Sequence, residues 1–253
     1  MKTEDLLCIS LDIGEKMLIS GAEISRVEDS LCRILTAYDM QRADIFTITS
    51  SIVATVTDRE GRTITQTRRI QKYSTDFERL DALNALSRHI CATTPPLAEI
   101  RKLLSEVERK RCYPLWIQCG AYALIAGAFA VFFGGTLVDG AVAALLGIGL
   151  RLLTYTIYQI KVNMVFANVT ASFLLCAAAF LCAYAFPSIQ ADKIIIGNIM
   201  LLIPGIAMTN AIRDIISGDI MAGILRFCEA LVLAVAIAAG YILASLLMGE
   251  LLK

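Results

Sequence analysis

The sequence predicts a membrane α-helical protein in which a cytoplasmic α+β domain, residues 1–113, precedes about five transmembrane helices in residues 114–253. The chain is 57% hydrophobic and only 18% charged, which is more apolar than an ordinary soluble protein. Residues 1–114 carry 17 Lys/Arg and 17 Asp/Glu, whereas residues 115–253 carry 6 and 6. Uncharged stretches in the second part reach the roughly 20 residues that a bilayer crossing requires.

The first domain changes between helical and strand periodicity. Two amphipathic helices are predicted before residue 36, and two more after residue 76, the last opened by Thr94-Pro95-Pro96. Between them, residues 44–57 alternate apolar residues with threonines, and the turn residues 58–61 lead into a second run over 62–70. This pattern predicts a β-hairpin. Its apolar face is expected to contain Phe46, Ile48, Ile52 and Val56.

Apolar stretches in the second domain fit five spans, with the fourth interrupted. They are placed at about 115–134, 138–158, 163–186, 194–212 and 222–248. Lys and Arg concentrate before span one, between spans two and three, and between spans four and five. By the positive-inside rule, the N-terminus is expected in the cytoplasm and the C-terminus outside. The first residues lack the basic region of a signal peptide.

Composition excludes several function classes. Formal net charge is zero and no basic tract is present, so nothing favours a nucleic-acid partner. The eight cysteines form no C-x-x-C pair, and His89 is the one histidine, so we expect no metal site and no cofactor. No Walker A motif occurs, which disfavours ATP-driven transport by this chain itself. The hydrolase motif G-x-S-x-G and the metalloprotease motif H-E-x-x-H are also missing from the sequence.

The fourth span contains the strongest signal for a transport pathway. Pro204 removes a backbone donor and Gly205 lowers helical preference, so the span is expected to be kinked or broken. Interrupted helices in transporters expose backbone groups to ions and substrate. We therefore expect the substrate near Pro204 to Asn210.

Asn210, Arg213 and Asp214 fall on about one helical turn after that break. Arg213 could hold a substrate carboxylate, and Asp214 or Asp219 could take a proton. The alternative is a simple proline kink followed by a cytoplasmic loop with solvated charges.

Other charged residues of the second domain have two interpretations each. Asp139 begins span two and is either a proton carrier or a solvated carboxylate beside the glycine turn. Glu229 in span five is either a proton relay or the partner of Arg226, three residues earlier. Arg151 interrupts span two and could extend to the cytoplasmic surface.

Within the first domain, Glu23 and Arg26 share a helix face directly after Gly21. They could form a catalytic pair or a ligand clamp. A capped helix start with a surface ion pair is the simpler interpretation.

These elements together resemble the threonine/serine exporter family over nearly the whole chain. The resemblance rests on Gly21-Ala22-Glu23 through Arg26-Val27-Glu28, on the hairpin, and on Ile203-Pro204-Gly205 through Asn210, Arg213-Asp214 and Gly218-Asp219. In that family, single-chain members join a cytoplasmic domain to about ten spans, and split members divide these parts between two proteins. The sequence is similar to the larger split subunit, which pairs with a small membrane subunit in a bacterial succinate exporter. The resemblance implies such a partner and a bacterial inner-membrane location.

The leading hypothesis is a secondary exporter subunit, not an enzyme. It would move threonine, serine or a dicarboxylate such as succinate out of the cytoplasm, driven by the proton gradient. One alternative is a membrane-anchored enzyme, for which only Glu23, His89 and scattered serines are available. Another is a regulatory scaffold whose cytoplasmic domain gates a partner. Glycines in the spans permit close helix approach, so a homo-oligomer also remains open.

Overall fold

A computed structural model describes residues 3–71, 74–109, 113–160 and 162–251. The helices are α1 (Thr3–Ile19), α2 (Ile24–Ala37), α3 (Phe77–Thr93), α4 (Leu97–Arg109), α5 (Leu115–Phe132), α6 (Leu137–Gln159), α7 (Met164–Ala185), α8 (Ala191–Ile199), α9 (Gly205–Ile216) and α10 (Ile220–Leu251). The strands are β1 (Arg42–Ile48), β2 (Ser51–Thr57) and β3 (Thr63–Arg69).

Contacts divide the described residues into two compact units that do not follow the sequence order. The first unit combines residues up to 109 with residues 207–227, which include most of α9 and the start of α10. The second unit contains residues 113–206 and the remainder of α10 from residue 228. A short piece of the apolar half of the chain thus belongs structurally with the N-terminal domain.

The N-terminal sheet has three strands, where the sequence pattern predicted a two-stranded hairpin. The order is β1-β2-β3, antiparallel throughout. Ile48 pairs with Ser51, so the residues between them form a two-residue turn inside the segment predicted as one strand. The turn shifts the alternation by one residue, because Ile45 now lies opposite Ala54. The prediction for Phe46 was therefore wrong: its side chain is 62% exposed, whereas Ile52 is buried.

The core of the first unit lies between the sheet and the helices. The predicted stripe on α2 is confirmed, since Val27, Leu31 and Ile34 are fully buried together with Leu7 and Leu11 of α1. Ordinary burial of large aliphatic side chains contributes about 1.5–3 kcal/mol each. This core fixes the junction between α1 and α2, where the candidate site lies.

Four helices of the described chain are long and apolar enough to cross a membrane: α5, α6, α7 and α10. The fourth span predicted from sequence is instead divided into α8 and α9. Met200 to Pro204 separate them in a turn, so the interruption at Pro204 and Gly205 is present. Helix α8 has nine residues, which at 1.5 Å per residue is far shorter than the roughly 30 Å hydrocarbon core.

Helices of the second unit approach each other at small residues. A Cβ added to Gly197 on α8 would lie 2.6 Å from the Ala126 carbonyl oxygen of α5. One added to Gly240 on α10 would lie 2.5 Å from the Val169 oxygen of α7. Buried alanines such as Ala130 fill the remaining contacts. Close backbone approach of this kind is how membrane helices gain packing energy without a hydrophobic driving force between them.

Replacing Gly197 by alanine is expected to lower stability, because backbone atoms on α5 have to shift to admit one methyl group. Overpacking of this kind costs roughly 1–3 kcal/mol. Gly149 on α6 is the matched control, since an added Cβ meets nothing within 4 Å and alanine favours a helix over glycine. The apparent melting temperature in detergent should fall for Gly197→Ala and stay or rise for Gly149→Ala. Equal shifts for the two variants would contradict this packing.

Candidate functional site

The turn between α9 and α10 is a helix C-cap built on Gly218. Its φ is +99°, a left-handed conformation that glycine adopts without steric cost. The Gly218 amide donates to the Ile215 oxygen at 3.1 Å, and the Asp219 amide donates to the Asp214 oxygen at 2.9 Å. These two hydrogen bonds define a Schellman motif. The chain therefore reverses sharply after α9, and the start of α10 returns along it.

Gly223 lets the two helices touch. A Cβ at this position would lie 2.8 Å from the Ala211 oxygen and 2.9 Å from the Ile215 nitrogen, both on α9. Only a residue without a side chain allows this approach. Arg226, one turn further along α10, is consequently placed beside Asp214.

Asp214 and Arg226 form a buried ion pair. Arg226 Nη1 lies 2.9 Å from Asp214 Oδ2, and the side chains are 9% and 1% exposed. This contact is electrostatic, since the N–H direction does not align as a hydrogen bond. Arg226 Nη2 donates to the Ala22 oxygen, and the Ile24 amide donates to Asp214 Oδ1, at 3.5 and 3.4 Å. Each charge thus also contacts the backbone that leads into α2.

That backbone is itself turned outward by a second glycine. Gly21 has φ +97°, and the Gly21 and Ala22 amides donate to the oxygens of Leu18 and Met17, so α1 also ends in a Schellman motif. The Gly21 carbonyl then accepts a hydrogen bond from Asn210 Nδ2 at 3.4 Å. We call Gly21 to Ile24 the docking segment, because its backbone meets three side chains of α9 and α10.

The start of α2 is capped from α9. Glu23 occupies the N-cap position but makes no side-chain cap hydrogen bond, so the expected local cap is absent. Asp214 supplies the acceptor instead, through the Ile24 amide. A carboxylate at a helix N-terminus both satisfies a free N–H and interacts favourably with the helix dipole.

Glu23 uses its carboxylate for an ion pair with Arg213. Glu23 Oε1 contacts Arg213 Nη1, and the side chains are 21% and 55% exposed. The pairing of Glu23 with Arg26 that the sequence suggested is not formed; Arg26 is exposed. The reason is directional, because Glu23 precedes the helix and faces α9. Two ion pairs therefore lie side by side, one buried and one accessible to solvent.

The surroundings of Asp214 raise the pKa of its carboxyl group. Burial raises the pKa of Asp214 above its ordinary value, the Arg226 guanidinium and the Ile24 amide oppose that rise, and the nearby carboxylates of Asp219 and Glu23 add to it. Acidification therefore protonates this carboxyl before an ordinary aspartate. The pKa of Glu28, on α2, is also raised by burial.

The Glu28 carboxylate joins α2 to the sheet. Its Oε1 accepts from the Thr47 amide at 2.7 Å. Burial raises the pKa of Glu28, the Thr47 hydrogen bond lowers it, and the charge of Asp219 raises it again. Asp219 is partly buried at the turn before α10. It lies near two carboxyl groups, those of Asp214 and Glu28, whose pKa values are raised.

Other residues predicted for the site lie in the second unit, outside this cluster. Pro204 ends the turn after α8, and Gly205 is the first residue of α9. Asp139 is fully buried and not solvated: it forms a capping box with Thr136 and accepts from the Gln190 amide at 2.8 Å. This is a structural role that fixes the start of α6.

Glu229 lies exposed on α10, and Arg226 forms its ion pair with Asp214 instead. The tight turn at Gly218 brings Asp214 to the buried face that carries Arg226. Sequence reasoning missed Arg226 as part of the site. Its position inside an apolar run was the available signal, but the nearer Glu229 explained it locally.

Among the described residues, no three His, Cys, Asp or Glu side chains come close enough to hold a metal ion. The charged groups of the site instead form two arginine–carboxylate pairs, one buried and one accessible to solvent. A family model described as "Putative threonine/serine exporter" (ThrE) matches residues 9–248. The chain belongs to this family.

Two curated relatives show how far the likeness extends. The chain is 24% identical over 248 residues to the "Probable threonine/serine exporter" of Mycobacterium tuberculosis, covering 96% of this chain and 46% of that protein. It is 25% identical over 236 residues to the "Threonine/serine exporter" of Corynebacterium glutamicum, covering 90% and 48%. The chain thus spans slightly less than half the length of these relatives. No solved structure matches it.

Neutralising one member of the buried pair is expected to destabilise the first unit strongly. Asp214→Asn or Arg226→Met alone leaves a buried charge without a counter-ion, at a cost of about 3–5 kcal/mol. The double variant should lose less than the sum of the two, which a double-mutant cycle of unfolding in detergent measures.

The exposed pair Asp29–Arg33 on α2 provides the matched control, since its ions are 2.8 Å apart but well exposed. The same cycle there should give a coupling of about 0.5 kcal/mol or less. Additive effects at Asp214 and Arg226 would show that the two groups are not paired.

Proposed function

We propose that this chain is the larger subunit of a secondary exporter that moves a small carboxylate-bearing metabolite out of a bacterial cytoplasm, with its N-terminal domain on the cytoplasmic side. Membership of the ThrE family supports an exporter role. The four apolar helices support a membrane location. The accessible Arg213–Glu23 ion pair supports the substrate assignment, because the carboxylate of Glu23 contacts this arginine.

Arg213 is proposed to exchange one carboxylate for another. Its side chain is more than half exposed, and its partner Glu23 also contacts solvent. An exposed ion pair contributes little, with a median of about 0–1 kcal/mol, so it separates readily. A substrate carboxylate has two acceptor oxygens, as the Glu23 carboxylate has. A guanidinium can bind both oxygens of such a group in bidentate fashion. Threonine, serine and succinate all carry this group.

Asp214 is proposed to carry the coupled proton. It is buried against Arg226, and its pKa is raised by that burial. Protonation removes the charge that holds Arg226 and weakens the cap on α2. The proton would thereby loosen the docking segment, which also contains Glu23. Protonation of Asp214 and separation of Arg213 from Glu23 would then be linked through this one short segment.

A small membrane subunit is proposed to complete the transporter. The chain corresponds to 46% and 48% of its two curated relatives. This proposal rests on the similarity, seen in the sequence, to the larger subunit of the split exporters. Additional copies of this chain could take part in the same assembly.

The proposal predicts substrate efflux that depends on both the partner and Arg213. Cells loaded with labelled threonine or labelled succinate should release one of them only when this chain and the small subunit are both present, and an uncoupler should abolish the release. Arg213→Gln should reduce initial efflux at least about tenfold, and Arg213→Lys should retain part of it because the charge remains.

Arg33→Gln is the control for that experiment, since Arg33 is also an exposed, carboxylate-paired arginine of the first unit. It should leave efflux unchanged. Normal efflux by Arg213→Gln in a correctly inserted complex would exclude the arginine as the carboxylate site. Absence of efflux for both substrates would exclude both as cargo.

Replacing Asp214 by asparagine should separate exchange from accumulation. An asparagine cannot take or release a proton, so net efflux against a gradient should be lost while exchange of labelled for unlabelled substrate persists. Rates are normalised to the amount of inserted, monodisperse protein, and Asp29→Asn serves as the control. Uncoupler-sensitive net efflux by Asp214→Asn at the wild-type rate would show that the proton passes elsewhere.

A further inference from the structure

One cation of the second unit, Arg151, is contacted by an amide oxygen. Arg151 lies within α6, one of the helices apolar enough to span a membrane. Its Nε donates to Gln118 Oε1 on α5 at 2.8 Å, and its Nη2 contacts the same oxygen. Among the described side chains, no aspartate or glutamate forms an ion pair with it. An arginine at the centre of a membrane helix costs about 2.5–3.5 kcal/mol. Arg151 lies nearer the end of α6, but a compensating interaction for its charge is still expected.

Gln118 is held in the orientation that serves Arg151. Its Nε2 donates to the Tyr113 oxygen, which directs Oε1 toward the guanidinium. A guanidinium has five N–H donors, and a single amide oxygen engages only two of its nitrogens. The amide is neutral, so the full positive charge of Arg151 remains. Donors and charge are both left for a further acceptor.

Two tyrosine rings flank the same guanidinium. The Arg151 Cζ lies 5.6 Å from the Tyr122 ring centroid and 5.9 Å from that of Tyr155. Aromatic faces stabilise a cation at this distance without neutralising it. Arg151 is only half-buried and Tyr155 is exposed, so the group is open to the outside of the unit.

The position of this group along the helices indicates which anion can reach it. Gln118 is in the first turn of α5, and Arg151 precedes the end of α6 by about 12 Å at 1.5 Å per residue. The large exposed side chains Tyr113, Trp116 and Tyr158 lie at this same end. Tyrosine and tryptophan mark the membrane–water interface, where lipid headgroups are found.

We propose that Arg151, oriented by Gln118 and flanked by Tyr122 and Tyr155, binds the phosphate group of an anionic lipid headgroup. The lipid phosphate would take the donors that Gln118 leaves free and would neutralise the charge. Basic pockets between membrane helices at headgroup depth bind anionic lipids by the same chemistry. This inference is independent of the transported substrate.

The test uses the full chain in detergent with defined additions. Phosphatidylglycerol should raise the apparent melting temperature of the wild type by about 2–4 °C more than phosphatidylcholine does. Native mass spectrometry should show retained phosphatidylglycerol. Arg151→Gln should lose both effects, and Arg151→Lys should keep part of each, because the charge remains without the planar fork. Gln118→Ala should weaken them.

Lys193→Gln is the matched control, because Lys193 is a cation of the same unit that already pairs with Asp192 at 3.1 Å. It should respond to phosphatidylglycerol like the wild type. Equal responses of wild type and Arg151→Gln would overturn the proposal. So would stabilisation by soluble glycerol phosphate, succinate or threonine that requires Arg151 while phosphatidylglycerol has no effect, since the site would then accept a free solute.

Discussion

The buried ion pair between Asp214 and Arg226 is the interaction on which the candidate site depends. Taking two charges out of water is costly, and the attraction between them offsets that cost only when the surroundings supply further hydrogen bonds. Here the backbone of the docking segment supplies them, through the Ile24 amide and the Ala22 carbonyl. The ion pair and the start of α2 therefore depend on each other, because Asp214 both pairs with Arg226 and caps α2.

Two glycine-dependent turns create this mutual dependence. Gly21 ends α1 and Gly218 ends α9, each with a positive φ and a Schellman motif. Gly223 then allows α10 to lie against α9. A part of the chain that is distant in sequence thus becomes integral to the N-terminal unit. This arrangement gives a physical route by which the protonation of one buried carboxylate could alter the accessible pair of Glu23 and Arg213.

Sequence reasoning succeeded where a periodic pattern or a strong local signal determined the structure. Membrane-length apolar runs, the α2 stripe and the break at Pro204 were all predicted, because each is decided by neighbouring residues. It failed where one turn changed the geometry, as at the two-residue turn after Ile48 that reversed the face of Phe46. It also paired Arg226 with Glu229 and Glu23 with Arg26. Local spacing suggests such partners. The partners found in the structure are both on α9: Asp214 for Arg226, and Arg213 for Glu23, which is 190 residues away in sequence.

In the proposed mechanism, Glu23 is an internal carboxylate that competes with substrate for Arg213. The apparent substrate affinity of Glu23 variants tests this competition most directly. Initial efflux would be measured against internal substrate concentration for wild type, Glu23→Gln and Glu23→Asp, each expressed with the small subunit. If the competition exists, Glu23→Gln should lower the half-saturating concentration several-fold, while Glu23→Asp should stay near wild type. An unchanged or higher half-saturating concentration in Glu23→Gln, with Arg213 still required for efflux, would contradict it.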